Sequence, residues 1–435
     1  MILSAQSQRI FALAIPMIIS NITTPLIGLV DTAVIGHMDD VGFLAGVALG
    51  ALILTQLYWV CGFLRMSSTG LSAQAKGENN NTFAARVLWQ SGAIGLFIGV
   101  VIILLQGPLL SAGLWLADAT PTIMTSAKAY FEIRVWSAPF ALINLALIGW
   151  LVGQQAHRHI MRIQIAANLL NVTLDILLVY VFDLGIAGVA IASVAAEISI
   201  FMLSLVVVFR VADVRFKAQF LHIGMFRSLL ALNSNMLIRN LALQLCLAFV
   251  TYKGTAMGEM IGSTNAIILQ FFTLIALGLD GLAYATEALI GEAKGQKTSL
   301  GILNIVKVAM LWSVIFAVVY SSVFWLFGES IVRLLTDIEA LRQSVSSYLM
   351  VIVLLPLVAH WCFLLDGIYI GLSNAKAMRN SMLVCMALFF FPTWYGLSVF
   401  ENWGLWSSFL IFLALRGMTL GGHLAWLVKQ KKIFA

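Results

Sequence analysis

The chain has 435 residues, of which 61% are hydrophobic and only 10% are charged, and its mean hydropathy is +0.99. About a quarter of the residues of a soluble globular domain are charged, so this composition excludes a soluble protein and indicates a membrane protein. The formal net charge of +6 is not concentrated in a basic soluble domain, so nucleic-acid binding is not expected.

Apolar stretches recur along the whole sequence, and each is long enough to cross about 30 Å of hydrocarbon as a helix. Splitting the chain at its charged residues gives twelve stretches, near residues 10–36, 43–64, 87–112, 128–152, 163–182, 184–209, 228–252, 260–290, 303–328, 343–375, 380–400 and 403–428. We therefore predict an all-α integral membrane protein with twelve transmembrane helices.

Lysine and arginine residues predict the orientation of these helices. If the N-terminus is cytoplasmic, eighteen of them fall at the inner side, and only four fall at the outer side, namely Lys128, Lys253, Arg333 and Arg342. Cytoplasmic loops of membrane proteins are enriched in these cations, so we expect a multi-pass protein with both termini in the cytoplasm.

The first stretch contains Asp31, six positions after Pro25. A carboxylate at membrane depth is costly and usually functional. A helix would carry this acid about 33 Å from Arg9, near the outer leaflet, so a helix end at the lipid headgroups is the alternative interpretation. Pro25 removes a backbone hydrogen bond, which predicts either a moving hinge or a static kink beside Asp31.

The fifth stretch contains Asn168, Asn171 and Asp175, which helical spacing places along one face. Asp175 lies about 20 Å above the cytoplasmic boundary, a depth at which it can meet Asp31. Two neighbouring carboxylates in a low dielectric cannot both ionise cheaply, so we predict that one of them binds a proton. The same acids with Asn171 also suit Na⁺, and a purely structural hydrogen-bond network is the remaining alternative.

The two halves of the chain are a duplication, in which matching residues lie 218 positions apart. This repeat offset relates Tyr130 to Tyr348, Gly149 to Gly367, Gly153 to Gly371 and Ala75-Lys76-Gly77 to Ala293-Lys294-Gly295. Six spans in each half predict two six-helix bundles related by a pseudo-two-fold axis along the membrane normal. The predicted domains are an N-terminal lobe (1–212), a cytoplasmic linker (213–227) and a C-terminal lobe (228–435).

The acids are not duplicated, because the repeat offset places Asp31 near Val250. The second half has its own intramembrane polar residues, Asp280, Asp366 and Arg239, and either acid is expected to neutralise the arginine as a structural pair. Arg134 and Glu197 in the first half are interpreted as structural in the same way.

Motifs of the common enzymes do not occur in the sequence. It has no Walker-type, GxSxG or His-Glu-x-x-His pattern, and its four cysteines lack metal-type spacing. We therefore expect no enzyme activity and no cofactor, and an ion gradient as the energy source.

Four segments together form a recognisable pattern, namely Leu13-Ala-Ile-Pro16-Met-Ile-Ile-Ser-Asn21, Gly28-Leu-Val-Asp31-Thr-Ala-Val-Ile-Gly36-His37, Tyr130-Phe-Glu-Ile-Arg134 with Pro139 and Gly149, and Asn171 with Asp175. The pattern resembles the bacterial multidrug and toxic compound extrusion (MATE) family, in its DNA-damage-inducible (DinF) branch. The resemblance implies a two-lobed antiporter that exports cationic or amphipathic drugs in exchange for H⁺ or Na⁺.

In this branch the resemblance assigns ion coupling to Asp31, Asn171 and Asp175 and the kink to Pro25. Other branches have a carboxylate in helix seven, where this chain has Arg239, so Asp366 is the acid that remains for a second-lobe cation site. We expect a monomer in the bacterial inner membrane, in contact with membrane lipids.

Two other functions are compatible with parts of the sequence. A flippase for lipids or lipid-linked oligosaccharides would share the lobe arrangement, although the first lobe offers acids instead of the cations that phosphates require. A channel is disfavoured because charge rings and a selectivity loop are not apparent.

Overall fold

The computed structural model describes the backbone of residues 5–36, 41–117 and 120–432, and the side chains of these residues except 24–36, 41–43, 223 and 225. The only regular secondary structure in this described part is helical, and it contains no β-strand. In hydrocarbon every backbone N–H and C=O needs a partner within the protein, and a helix supplies those partners along its own length. The predicted all-α class is therefore confirmed.

Seventeen α-helices occur in the described residues. They are α1 (Ala5–Gly36), α2 (Val41–Val60), α3 (Phe63–Gly77), α4 (Asn81–Leu104), α5 (Gln106–Leu116), α6 (Pro121–Arg134), α7 (Ala138–Gly153), α8 (His157–Ile176), α9 (Gly185–Val211), α10 (Ile223–Ala256), α11 (Glu259–Gly295), α12 (Ser299–Leu335), α13 (Glu339–Ser347), α14 (Leu349–Gly371), α15 (Ala375–Val384), α16 (Phe391–Leu397) and α17 (Glu401–Lys429).

Ten helical runs in the described residues are long and apolar enough to cross a membrane. They cover eleven of the twelve predicted stretches, because the run Ala375–Lys429 contains the last two. The first predicted stretch, 10–36, falls in α1, and part of it lies outside the residues whose side chains are described. The chain is thus a multi-pass membrane protein.

The chain forms two compact units. The N-terminal unit is Ile19–Leu230, and the C-terminal unit combines Met1–Ile18 with Ala231–Ala435. This division places Met1–Ile18 with the second half of the chain, which the predicted domain bounds do not. The bounds 1–212, 213–227 and 228–435 themselves stay a prediction.

Each unit is built around one buried helix. In the N-terminal unit α7 packs against α3, α4 and α9, and in the C-terminal unit α14 packs against α11, α12 and α17. Small residues allow the close approach: a Cβ at Gly153 would lie 2.6 Å from the carbonyl oxygen of Thr69, and one at Gly371 would lie 2.7 Å from that of Glu287. Thr69 and Glu287 are themselves related by the repeat offset.

The duplication extends to the backbone. Asn79 (φ 52°) and Lys297 (φ 57°) share the left-handed conformation at the repeat offset, and so do Gln155 (φ 62°) and Ser373 (φ 52°). Residues other than glycine adopt this conformation rarely, so two such pairs at one offset indicate a common ancestral unit.

The segment before α10 is anchored to the N-terminal unit. The indole Nε1 of Trp89 donates to the carbonyl of Val214 at 3.0 Å, and Nε2 of Gln90 donates to that of Phe220 at 2.9 Å. Val214 and Phe220 are buried as a result, and a 3₁₀ turn at Ala218–Leu221 leads into α10.

Candidate functional site

The buried face of α8 carries the predicted first-lobe site. Its buried residues recur every three or four positions, and they are His157, Ile160, Ile163, Ala167, Asn171 and Asp175. Asn171 is 2% exposed and Asp175 is fully buried, whereas Asn168 is half-buried at the edge of this face. A polar pair therefore continues an otherwise apolar packing stripe toward the end of the helix.

The Asn171 side chain makes no hydrogen bond with the described residues. Neither its Oδ1 nor its Nδ2 has a hydrogen-bond partner among the described residues, and the same holds for Nδ2 of Asn168. Asp175, in contrast, does have an interaction partner. Leaving a buried amide group unsatisfied costs about 1–3 kcal/mol, so the Asn171 amide is expected to have a partner beyond the described side chains.

Helix α1 contacts α8 one turn before Asn168. The Ser20 hydroxyl donates to Oε1 of Gln164 at 2.9 Å, and Ser20 is only 1% exposed. The side chains of Asp31 and Pro25 lie outside the described residues, so both predictions for them stand as predictions.

The helical hydrogen-bond pattern changes directly after Asp175. Residues Leu177–Val181 form a π-helical turn, and the corresponding span of the C-terminal unit contains another at Cys385–Phe390. Such turns occur frequently at functional sites, because the extra residue per turn redirects side chains and frees a carbonyl group.

A separate ion pair lies in the N-terminal unit. Nη2 of Arg134 lies 3.4 Å from Oε1 of Glu197, and Nδ2 of Asn144 donates to Oε2 of the same carboxylate at 2.9 Å. Arg134 also donates to the Ser137 hydroxyl. The structural role expected for Arg134 and Glu197 agrees with this contact, and their charges balance.

A second buried cluster lies in the C-terminal unit. Arg239 on α10 and Arg416 on α17 both donate to Oδ2 of Asp366 on α14, the latter at 2.6 Å. The sequence predicted that either Asp280 or Asp366 neutralises Arg239, and the structure places Asp366 there. The sequence prediction missed Arg416. The available signal was a lone cation in the middle of the last apolar stretch. Asp280 is half-buried on α11 and has an interaction partner of its own.

Metal-binding clusters of three or more His, Cys, Asp or Glu side chains are absent from the residues that the structure describes. The oxygen atoms of Asn171 and Asp175 have the chemistry that suits Na⁺, since hard cations prefer carboxylate and amide oxygens. Na⁺ binding by these residues and Asp31 stays a prediction.

Both halves of the chain match the same family. The MatE family model matches residues 16–177 and again residues 236–395. The chain belongs to the MatE family of multidrug and toxic compound extrusion transporters. The ends of the two matches, at residues 177 and 395, are related by the repeat offset found within the sequence.

Full-length relatives confirm the predicted branch of the MatE family. The chain is 40% identical to DNA damage-inducible protein F of Escherichia coli, over 96% of this chain and 92% of the relative. It is 21% identical to Multidrug resistance protein NorM of Vibrio cholerae, over 98% and 96% of the two chains. A crystal structure of another Vibrio cholerae MATE transporter, 20% identical, matches with a TM-score of 0.87 over 99% of each chain and shows the same fold.

Proposed function

We propose that this MatE protein is a secondary active multidrug efflux antiporter, which exports cationic or amphipathic compounds in exchange for H⁺. Family membership supports export, and the buried Asp175 carboxyl supports coupling to a cation, together with Asn171, whose side chain has no hydrogen-bond partner among the described residues. An acid buried in a low dielectric is most easily accommodated when it is paired or protonated. This buried acid is the observation on which the coupling proposal depends.

The register of two helices supports a partnership between Asp31 and Asp175. Eleven residues lead from Ser20 to Asp31 along α1, and eleven lead from Gln164 to Asp175 along α8. The three predicted membrane crossings between α1 and α8 make the two helices parallel. Eleven residues are close to three helical turns, or about 16 Å, so helical spacing predicts that the two acids lie at the same depth.

Proton binding then acts as the conformational signal. Asp31 takes up H⁺ from outside. The neutral acid can then donate one hydrogen bond, whereas a carboxylate can only accept hydrogen bonds. Asn171 and Asp175 rearrange around it, and α1 bends near Pro25, where the backbone ladder lacks one bond. Bending releases the drug from the N-terminal unit. One proton crossing the membrane supplies about 2.3 kcal/mol per 100 mV, which sustains a useful drug gradient.

Na⁺ is the competing coupling ion, because the same oxygen atoms would coordinate it. The proposal further places the protein in the bacterial inner membrane as a monomer with both termini cytoplasmic. Membrane lipids and small amphipathic drugs are its expected partners.

The deciding experiment compares Asp31→Asn and Asp175→Asn with a matched control, Glu132→Gln. Glu132 is 55% exposed and makes a loose contact with Lys128 at 3.7 Å, so its loss should leave transport unchanged. Ethidium efflux is measured in cells that lack other pumps, and drug-evoked proton release is measured in vesicles. We expect Asp31→Asn to abolish both signals and Asp175→Asn to reduce them at least tenfold.

Full efflux by Asp31→Asn would eliminate that residue as the coupling acid. Efflux that requires Na⁺ at constant pH, without proton release, would replace H⁺ by Na⁺ in the proposal.

A further inference from the structure

We propose that Arg239, Asp366 and Arg416 form a binding site for an oxyanion, a carboxylate or a phosphate group, in the C-terminal unit. Such a site goes beyond the exchange of cations at Asp31 and does not depend on it. Its residues lie on α10, α14 and α17, whereas the residues of the coupling proposal belong to α1 and α8.

The charge of the cluster is the first reason. Guanidinium groups remain protonated in proteins, so two arginines and one aspartate carry a net charge of +1. Arg239, Arg416 and Asp366 are only 7%, 3% and 9% exposed. Asp366 is the one described carboxylate within hydrogen-bond reach of either guanidinium. A buried charge without a countercharge is costly, so the uncompensated positive charge of the cluster favours an additional monoanion.

Unused donors are the second reason. Both arginines share a single carboxylate oxygen, Oδ2 of Asp366. Arg239 donates a further hydrogen bond to Oδ1 of Asn240 at 2.9 Å, but its Nε is buried without a partner in the described part of the chain. Arginine presents its donors as a planar fork that matches carboxylate and phosphate oxygens, which makes an oxyanion the fitting ligand.

The duplication provides the third reason. The repeat offset places Asn21, Ile148 and Ile198 at the positions that correspond to Arg239, Asp366 and Arg416. The N-terminal unit therefore reaches its fold without this cluster, so the shared architecture does not require the charges. The Asp366 side chain is 13% exposed, so the protein does not enclose the cluster completely.

Two sources would present this chemistry, an amphipathic compound with a carboxylate and a lipid with a phosphate headgroup. Rhodamine 110, which has a free carboxylate, and rhodamine 123, its methyl ester, form a matched probe pair. Fluorescence anisotropy with the purified full-length protein measures both dissociation constants. We expect the free acid to bind about tenfold more tightly, the equivalent of one charge-assisted hydrogen bond.

Two substitutions should shift this preference in opposite directions. Arg416→Met leaves a neutral pair between Arg239 and Asp366, and it should remove the preference for the free acid while retaining ester binding. Asp366→Asn raises the cluster charge to +2 and should strengthen the preference. Arg333→Met removes a charge from an exposed position and should change neither constant.

If Asp366→Asn does not fold, Arg416→Met still decides the matter, because it keeps the buried charges balanced. If wild type and Arg416→Met prefer rhodamine 110 over rhodamine 123 to the same extent, the cluster has only a structural role and the proposal is overturned. Competition distinguishes the sources: displacement of rhodamine 110 by phosphatidate identifies a lipid phosphate, and displacement by benzoate alone identifies a carboxylate. Displacement by neither overturns the proposal as well.

Discussion

The two units make the same contact at the end of their central helix. Lys76 donates to the carbonyl of Gln154 at 2.7 Å in the N-terminal unit, and Lys294 donates to that of Leu372 at 2.6 Å in the C-terminal unit. Each lysine thus caps the carboxyl end of the buried helix with a positive charge, which favours the helix dipole. The duplication has preserved what the packing of one unit requires.

The buried polar residues of the two units differ. The N-terminal unit has a balanced pair, Arg134 with Glu197, in addition to Asn171 and Asp175 on α8. The C-terminal unit has two arginines on one aspartate. Since these residues occupy positions that the duplication does not match, they show where the two units have diverged since the duplication.

The largest predicted difference between the units is in the stability lost when a buried charged residue is replaced by a neutral one. Glu197→Gln leaves Arg134 buried without a countercharge and should cost about 3–5 kcal/mol of stability. Arg416→Met keeps the Arg239–Asp366 pair neutral and should cost about 1.5–3 kcal/mol, the usual range for the loss of one hydrogen bond to a charged group. The midpoints of thermal unfolding in detergent measure both effects.

The double variant Arg134→Met/Glu197→Leu is the control for this prediction, and it should recover most of the lost stability because no unpaired charge remains. A larger loss in Arg416→Met than in Glu197→Gln would contradict the interpretation of charge balance.

Substitution of the glycines in the central helices should cause an intermediate loss of stability, which should be equal in both units. Gly153→Ala and Gly371→Ala place a methyl group against the backbone of a neighbouring helix, which should cost about 1–3 kcal/mol each. Gly92→Ala is the matched control, since a Cβ there meets no atom within 4 Å and should stabilise α4 by about 0.5–1 kcal/mol. Unequal losses at Gly153 and Gly371 would show that the two packing sites have diverged.

Removal of the lysine caps should cause the smallest loss of stability. Lys76→Met and Lys294→Met each remove one hydrogen bond to a carbonyl group and should lower stability by about 1 kcal/mol. Lys297→Met, at an exposed position in the next turn of the chain, should have no measurable effect. Losses that differ strongly between Lys76 and Lys294 would argue against equivalent roles for the two caps.

Local spacing made several features predictable. The face shared by Asn171 and Asp175 follows from four-residue spacing, which any α-helix converts into a common side. The pairing of Gly153 with Gly371 follows from a constant offset, which needs no coordinates. The helical spans follow from hydropathy, because an unsatisfied backbone is not tolerated in hydrocarbon.

Contacts between distant segments were not predictable in the same way. Asp366 and Arg416 are 50 positions apart along the chain, and Asp366 and Arg239 are 127 apart. The pairing of acids with bases depends on how three packed helices are rotated and at what depth they lie. The periodicity of residues within each helix determines neither the rotation nor the depth. The sequence offered Asp280 and Asp366 equally, and the fold placed Asp366 beside Arg239.

The sequence by itself thus determined the membrane environment, the all-helical class, the duplication and the membership of the MatE family. These depend on composition and on spacing within a helix or between repeats. Only the tertiary structure decided that Arg416 joins Arg239 on Asp366, that Asn171 lacks a partner among the described residues, and that Ser20 contacts Gln164. Such facts require the packing of whole helices, because hydrogen bonds form over about 3 Å and are set by the relative placement of helices far apart in sequence.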